Sequence, residues 1–422
     1  MKEQKEQIHK RLTTEKVKSV LTMYLTGTIS GNKAREILDI KKTQFFDWLK
    51  KLKNDPASFS LDYERKMPTN RIDSLKEEMV IKELELERSY IANKDIPIKF
   101  YNYSYIKNII SEKYDTSVSI PTIIKIAKKK GYYIPKPDKK NHDRNVNTNY
   151  IGELVQHDTT HHLFAPYAER KWYLITSIDD FSRYLLYGEL MEKETSVRHI
   201  EAFKYVCLNT GVPFSYYVDN HSIFRFIERR DSVNYKHRLK EDESDPQWKK
   251  VLSDLKVKVN YAGSAPAKGK IERPYRWLQD HLTRTCIREG ITSIDDAKEV
   301  LRKEINRYNF RQVHSATGEI PAIKLEKSIN ENKSLFVQYN TPHPFESIDD
   351  IFCLRLTRIT DAYRTISVYG TKIKLNVNPH EKVELRVAPN EKTGLSNVRF
   401  WHNDKLVDKK ILKNTDLRID YF

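Results

Sequence analysis

The sequence predicts an α/β protein: a central mixed sheet with flanking helices, preceded by helical domains and followed by a small β-barrel. Three observations carry this. Strand-like and helix-like patterns alternate between about 150 and 327. Ahead of them, two basic stretches each read as a pair of short helices. Behind them, from about 351, short alternating strands are separated by Gly, Asn and Pro turns.

The first basic stretch, "ISGNKAREILDIKKTQFFDWLKKLK" (29–53), gives two short helices around a tight turn. Ala34, Ile37 and Leu38 form the inner face of the first, and Phe45, Trp48, Leu49 and Leu52 recur at helical spacing in the second. Lys41, Lys42, Thr43, Gln44 and Lys50 are left outward. This is the helix-turn-helix pattern, whose second helix enters the DNA major groove; the alternative is a plain helical hairpin with solvated lysines. The pattern returns in "YSYIKNIISEKYDTSVSIPTIIKIAKKKGYY" (103–133). There Ser119 caps, Pro121 suits the first turn and Gly131 stops the second helix. Ile123, Ile124, Ile126 and Ala127 face inward; Lys125, Lys128, Lys129 and Lys130 face outward. Two such basic pairs favour DNA binding over two incidental hairpins. The expected domains are 1–60 and 70–135, with a polar, proline-bearing tether over 136–149.

In the core, 150–327, "GELVQHDTTHH" places Leu154 and Val155 just before Asp158, which closes the first strand. A hairpin follows, Trp172 to Ile178 and Tyr184 to Met191, turning at "DDFSR". Then come a helix that stops at Gly211, a short aromatic strand ending in Asp219, and another strand in "LKVKVNYAG". Helices run from about Lys270 to Glu289 and from Asp295 to Phe310. The last region, 345–422, reads as a β-barrel whose outward residues are often Arg or Lys, or as a structural appendage.

Composition narrows the partners. The 422 residues carry 75 Lys plus Arg against 58 Asp plus Glu, a formal net charge of +17. Such a surplus attracts a polyanion, nucleic acid ahead of membrane. No apolar run approaches the roughly 20 residues of a membrane span, and "MKEQKEQIHK" has no signal-peptide core. Cys207, Cys286 and Cys353 are isolated, giving neither a disulfide framework nor a zinc site. A reducing compartment is the natural inference, and the expected location is cytoplasmic.

Three separated acids carry the chemistry. Asp158 and Asp219 close strands, and Glu272 sits in "GSAPAKGKIERPYRWLQDHL" among Lys268, Lys270, Arg273 and Arg276. Carboxylates suit helix starts, which explains Glu272 but not the cations around it. Three converging carboxylates suit hard divalent cations, Mg²⁺ or Mn²⁺. Two such ions about 4 Å apart can stabilise both attacking and leaving oxygens at phosphorus. The neighbouring cations then grip the DNA backbone.

Asp158 in "VQHDTT", Asp219 in "YYVDNHSIF" and Glu272 in "AKGKIERPYRWLQ" resemble the DDE triad of transposases and retroviral-type integrases. "SIDDFSRYLL" (177–186) resembles the second-strand hairpin of that family, and "YNFRQVHSATGEIPAIKL" (308–325) the segment closing its core. The resemblance covers 150–327, and the flanking regions match the layout of bacterial insertion-sequence transposases. It implies an RNase H-like core, with Asp158, Asp219 and Glu272 as catalytic metal ligands. It implies further a homo-oligomer on double-stranded DNA, acting on element ends and target DNA. The implied activity is cleavage at element ends and joining of the 3′-hydroxyls to target DNA. A regulatory, non-catalytic relative and a purely hydrolytic nuclease are the alternatives; the intact triad opposes the first, and the end-reading apparatus the second.

Departures accompany the likeness. Asp219 and Glu272 stand 53 positions apart, and 225–247 looks inserted, as a solvated loop or a DNA or subunit contact. His221 stands where relatives usually have Gly after "DN". No cysteines support His157, His161 and His162 as a zinc site, which leaves them as local hydrogen-bond partners or DNA contacts.

Overall fold

The computed structural model describes residues 12–61, 72–135, 148–219, 246–261, 269–368 and 370–417. The tether 136–147, the stretch 220–245 with His221, and 262–268 with Lys268 lie outside the described residues. The chain divides into two compact units, Met1–Glu78 and Met79–Phe422.

The first unit is built on three helices, α1 (Thr14–Leu25), α2 (Gly31–Leu38) and α3 (Lys42–Asn54). Val17, Val20 and Leu21 of α1 close a core with Ala34, Leu38, Phe45, Trp48, Leu49 and Leu52. Thr13 and Ser30 cap α1 and α2 through their hydroxyls. Asp39, in the left-handed region at φ 47°, turns the chain into α3. Ile37 departs from its expected inward position and is 42% exposed. α1 supplies the third wall of the bundle, so Ala34 and Leu38 suffice to seat α2.

The second unit begins within α4 (Ser74–Ala92), followed by α5 (Tyr103–Tyr114) and α6 (Ile120–Lys130). Ser119 accepts from the Thr122 amide, and Gly131, at φ 77°, ends α6. Ile123, Ile126 and Ala127 are buried, Ile124 is half-buried, and the lysines of α6 face solvent.

The core sheet holds β1 (Val155–His162), β2 (Trp172–Asp179), β3 (Leu185–Met191), β4 (Ser215–Val218) and β5 (Lys258–Tyr261), in the order β3-β2-β1-β4-β5. β1, β2 and β3 pair antiparallel; β1, β4 and β5 pair parallel. Four helices accompany it: α7 (Ser196–Asn209), α8 (Gln247–Asp254), α9 (Gly269–Arg288) and α10 (Ile294–Phe310). Because side chains alternate along a strand, β1 offers Val155 and His157 to one face and Gln156, Asp158 and Thr160 to the other. Val155 joins Phe203 of α7 and Trp248 of α8 in one buried cluster. Leu174 and Ile178 of β2 pack with Leu278 and Leu282 of α9 and Val300 of α10. This is the mixed sheet with flanking helices that the RNase H-like expectation calls for.

Two glycines admit the strap that follows α11 (Pro321–Asn330). At Gly152, φ 73°, an added Cβ would meet the Phe336 backbone nitrogen at 2.7 Å; at Gly211, φ 126°, it would meet the Val337 carbonyl at 2.9 Å. Bridges Ile151–Ser334 and Val212–Val337 fasten the strap there.

The C-terminal strands are β6 (Leu354–Ile359), β7 (Thr365–Val368), β8 (Thr371–Lys374), β9 (Lys382–Asn390), β10 (Leu395–His402) and β11 (Lys405–Lys413). They form an open four-stranded sheet, β11-β10-β9-β6, with β7-β8 as a separate hairpin. The expected barrel closure is not made among the described residues. Instead, the sheet's apolar residues Leu354, Leu385 and Phe400 share a core with Phe203 and Trp248, so burial is completed by the neighbouring core. β11, absent from the strand reading, carries lysines along its length, as solvent-facing edge strands often do.

The arginines of these strands are not all outward. Arg355, Arg386 and Arg399 are paired in register across β6, β9 and β10 and are buried. Like charges in a row repel, and here acids separate them. Asp254 of α8 meets Arg355 at 2.6 Å and Arg386 at 3.1 Å, and Asp350 meets Arg399 at 2.5 Å. Removing Asp254 would leave the buried Arg355 without its carboxylate and Arg386 with Glu384 alone. Asp254→Ala is therefore expected to cost about 3–5 kcal/mol, read as a lowered urea midpoint in equilibrium unfolding.

Candidate active site and its supports

Asp158 does not close β1 as expected; it is the strand's fourth residue, paired with Thr176 of β2, and the strand runs on to His162. What ends beside it is the parallel ladder to β4, registered at Val155–Tyr216 and Gln156–Tyr217. Continuing that register by two residues brings Asp158 level with Asp219, which follows β4. Alternation puts both on the same sheet face as Gln156 and Tyr217. Each carboxylate residue is half-buried.

α9 lies on that face. Tyr275 donates its hydroxyl proton to the Asp158 carbonyl, and Gln279 donates to Thr160 Oγ1 at 2.7 Å. Burial pushes the Tyr275 phenol well above its ordinary range, with the Asp158 charge adding to the effect, so it remains a proton donor. Tyr275 and Gln279 thus mark the side of α9 that meets β1. Glu272, Lys270 and Arg273 lie in α9, and their side chains are outside the described residues. Arg276 is exposed one residue beyond Tyr275.

The other end of α9 is held by α4 and α5. Arg284, with its side chain 1% exposed, pairs with Glu87 of α4 and with Asp280, and donates to the Phe100 carbonyl at 2.6 Å. Asn102, which caps α5, also donates to Asp280. One turn on, Arg288 meets Glu83 of α4 at 2.5 Å, and Glu83 accepts from Lys113 and Tyr114 of α5. Tyr105 and Thr285 share a buried hydrogen bond of 3.1 Å. The second basic helical pair is thus bound to the helix that carries Glu272.

The three histidines have different surroundings. His157 is buried, 2.8 Å from Ser177 Oγ and 2.8 Å from His199 Nδ1, and stacks on Trp248. His199 continues to Glu194 at 3.0 Å. His161 stacks on Tyr173, and His162 meets Phe164 edge-on. Asp179 closes the hairpin turn by accepting from the Ser182 amide, the Ser182 hydroxyl and the Gly152 amide. Burial nonetheless raises its carboxyl above the usual range. Asp180 pairs with Arg183 at 2.8 Å. Both acids serve the turn.

The basic residues divide among separate places. Lys41, Lys42 and Thr43 are exposed and Gln44 half-exposed at the start of α3, in the first unit. Lys125, Lys128 and Lys129 are exposed on α6 in the second. Tyr275, Gln279 and Arg284 went unread in the sequence; Tyr275 was legible as the residue one turn beyond Glu272, whereas Arg284 had no local sign of its distant partners.

Asp158 and Asp219 carry the oxygen ligands that hard cations take, on residues that the strand register brings level. No group of three His, Cys, Asp or Glu able to hold a metal is found among the described residues, which exclude the Glu272 side chain.

No family model matches the chain. It is 28% identical over 237 residues to y4bF of Sinorhizobium fredii, named as a transposase, covering 56% of this chain and 47% of the relative. It is 26% identical over 172 residues to the transposase for insertion sequence IS1202 of Streptococcus pneumoniae, covering 40% and 35%. The chain thus spans about half or less of the curated relatives it matches. These relatives bear out the likeness to transposases read from the sequence. Among solved structures it is similar to the HTLV-2 integrase catalytic core domain, at 19% identity and TM-score 0.29, over 40% of this chain and 93% of that one. A simian T-cell lymphotropic virus intasome matches at 12% identity and TM-score 0.33, over 70% and 92%. Scores this low leave the strand order as the basis for the fold.

The Arg284 pairing yields a stability test. Arg284→Ala leaves the Glu87 carboxylate buried alone and is expected to cost about 3–5 kcal/mol in chemical denaturation. The double change Glu87→Leu with Arg284→Met removes both charges and should recover most of that loss.

Proposed function

We propose that this chain is a DNA transposase of the DDE type, binding the ends of a mobile element, cleaving there and joining the 3′-hydroxyls to target DNA. The observation that carries the reading is that the strand registers bring Asp158 and Asp219 level on the sheet face that α9, the helix containing Glu272, packs against. Sequence similarity to two transposases supports it. The helix pairs α2–α3 and α5–α6 are read as helix-turn-helix modules for double-stranded DNA, with the protein acting as a homo-oligomer on that DNA.

In this reading Asp158, Asp219 and Glu272 hold Mg²⁺ or Mn²⁺, as two ions. Bound there, the ions supply activation of a water or hydroxyl and charge stabilisation at phosphorus. The chain's own part is positioning. Tyr275, through the Asp158 carbonyl, and Gln279, through Thr160, fix the spacing between α9 and β1. Lys268, Lys270, Arg273 and Arg276 hold phosphates of the DNA end beside the acids.

Asp158→Asn, Asp219→Asn and Glu272→Gln should each abolish joining of a pre-cut end duplex to plasmid in Mg²⁺ or Mn²⁺, while leaving DNA binding intact. The losses should be non-additive, because the acids act as one unit. Joining that survives Glu272→Gln, or that persists in chelator, would overturn the assignment. Lys41→Ala and Lys128→Ala should each lower the salt slope of end-duplex binding by about one, measured by titration at several salt concentrations.

A further inference from the structure

The last turn of α6 and the residues after it read "KKKGYY", and the tyrosines join a wider aromatic group. Tyr101, Tyr103 and Tyr133 form a row of nearly parallel rings. Tyr101 and Tyr103 are inclined by 11° with centroids 6.1 Å apart, and Tyr103 and Tyr133 by 6° at 6.4 Å. The row runs from inside to outside: Tyr101 is buried, Tyr103 half-buried and Tyr133 41% exposed. Tyr103 is fixed by donating to the Tyr132 carbonyl at 3.3 Å, and Tyr132 packs edge-on against Tyr101. The outer ring therefore stands on an ordered base.

Lys128 completes the arrangement. Its ammonium sits 4.8 Å from the centroid of the Tyr133 ring, and Lys129 and Lys130 follow it along the exposed end of α6. An exposed cation–π contact is worth only about 0.5–1 kcal/mol, and base–aromatic stacking about 1–3 kcal/mol per base. A nucleotide brings both a flat base and an anionic phosphate. The base can take the ring face while Lys128 swings to the phosphate, a better partner for an ammonium than a quadrupole. Ring, rigid backing and adjacent positive charge are the components of a single-strand binding platform.

We propose that Tyr133, backed by Tyr103 and flanked by Lys128, is a stacking site for an unpaired base of DNA. A base within an intact duplex offers no free face, so the site takes frayed or single-stranded segments. In the transposase reading, on which the biological role rests, such segments arise where a strand has been cut at an element end. The site would hold the loosened strand beside the module that reads the neighbouring duplex.

The test uses the full-length chain and a short single-stranded oligonucleotide carrying 2-aminopurine, whose fluorescence falls when it stacks on an aromatic ring. Wild-type protein should quench the probe. Tyr133→Leu should weaken its binding roughly tenfold to a hundredfold and remove the quenching. Tyr133→Phe keeps the ring and should behave as wild type; Lys128→Ala should retain quenching and lower the salt slope by about one. Duplex binding by Tyr133→Leu should stay within twofold of wild type, with its melting temperature unchanged. Equal quenching by Tyr133→Leu and wild type would overturn the proposal. So would a Tyr133→Phe loss as large as that of Leu, or a parallel loss of duplex binding. Because the assay reads binding alone, failure of strand joining would reject the transposase reading without touching this result.

Discussion

The buried charge of Arg284 is the constraint on which the arrangement of the second unit turns. A guanidinium cannot shed its proton to escape burial, so acceptors must be brought to it. Glu87 comes from α4, the Phe100 carbonyl from the approach to α5, and Asp280 from one turn earlier on α9. Two neighbouring stretches, α4 and the approach to α5, are thereby brought to a helix nearly 200 positions further along the chain. The geometry specifies more than it stabilises, since buried ion pairs roughly repay their own desolvation. What it fixes is the axis of α9, and with it the first turn, where Glu272 lies.

The opposite face of the sheet is held by different means. There the contacts are mostly apolar, with Tyr216 edge-to-face against both Phe203 and Trp248. The same cluster continues into the C-terminal strands through Phe352. Where that interface does carry charge, it does so as a set: Asp254 on α8 answers two arginines from two strands. The C-terminal strands share this cluster with the core, and Ile366, Val368 and Ile373 of the β7–β8 hairpin lie in it as well. Apolar packing joins the sheets, and the shared acid sets their register.

Between these two faces the acids occupy the seam where β4 stops and β1 continues. A strand that outruns its parallel neighbour leaves backbone and side chains accessible on one side, while its antiparallel partner β2 keeps it straight. Asp158 sits at that step and Asp219 at the end of the shorter strand, so two carboxylates are level without either being at the sheet's edge.

The sequence by itself determined the elements. Periodicity two or 3.6 located the hairpin, the long helices and the C-terminal strands, because those periods follow from which face each element buries. Caps were equally legible: Ser119 and Gly131 mark the ends of α6 because their chemistry acts within a few residues. The three acids were legible for the same local reason, Asp158 and Asp219 following short apolar stretches and Glu272 lying among cations. β11 escaped because an exposed edge strand of lysines buries little and so leaves a weak pattern. Only the tertiary structure decided that Asp158 lies mid-strand, because where a ladder ends depends on the neighbour's length. Only it decided that Arg355, Arg386 and Arg399 point inward, since an arginine's direction is set by acids remote in sequence. Likewise Arg284 reads as one more basic residue until folding surrounds it: pairing energy depends on distance in space, and the sequence records only distance along the chain.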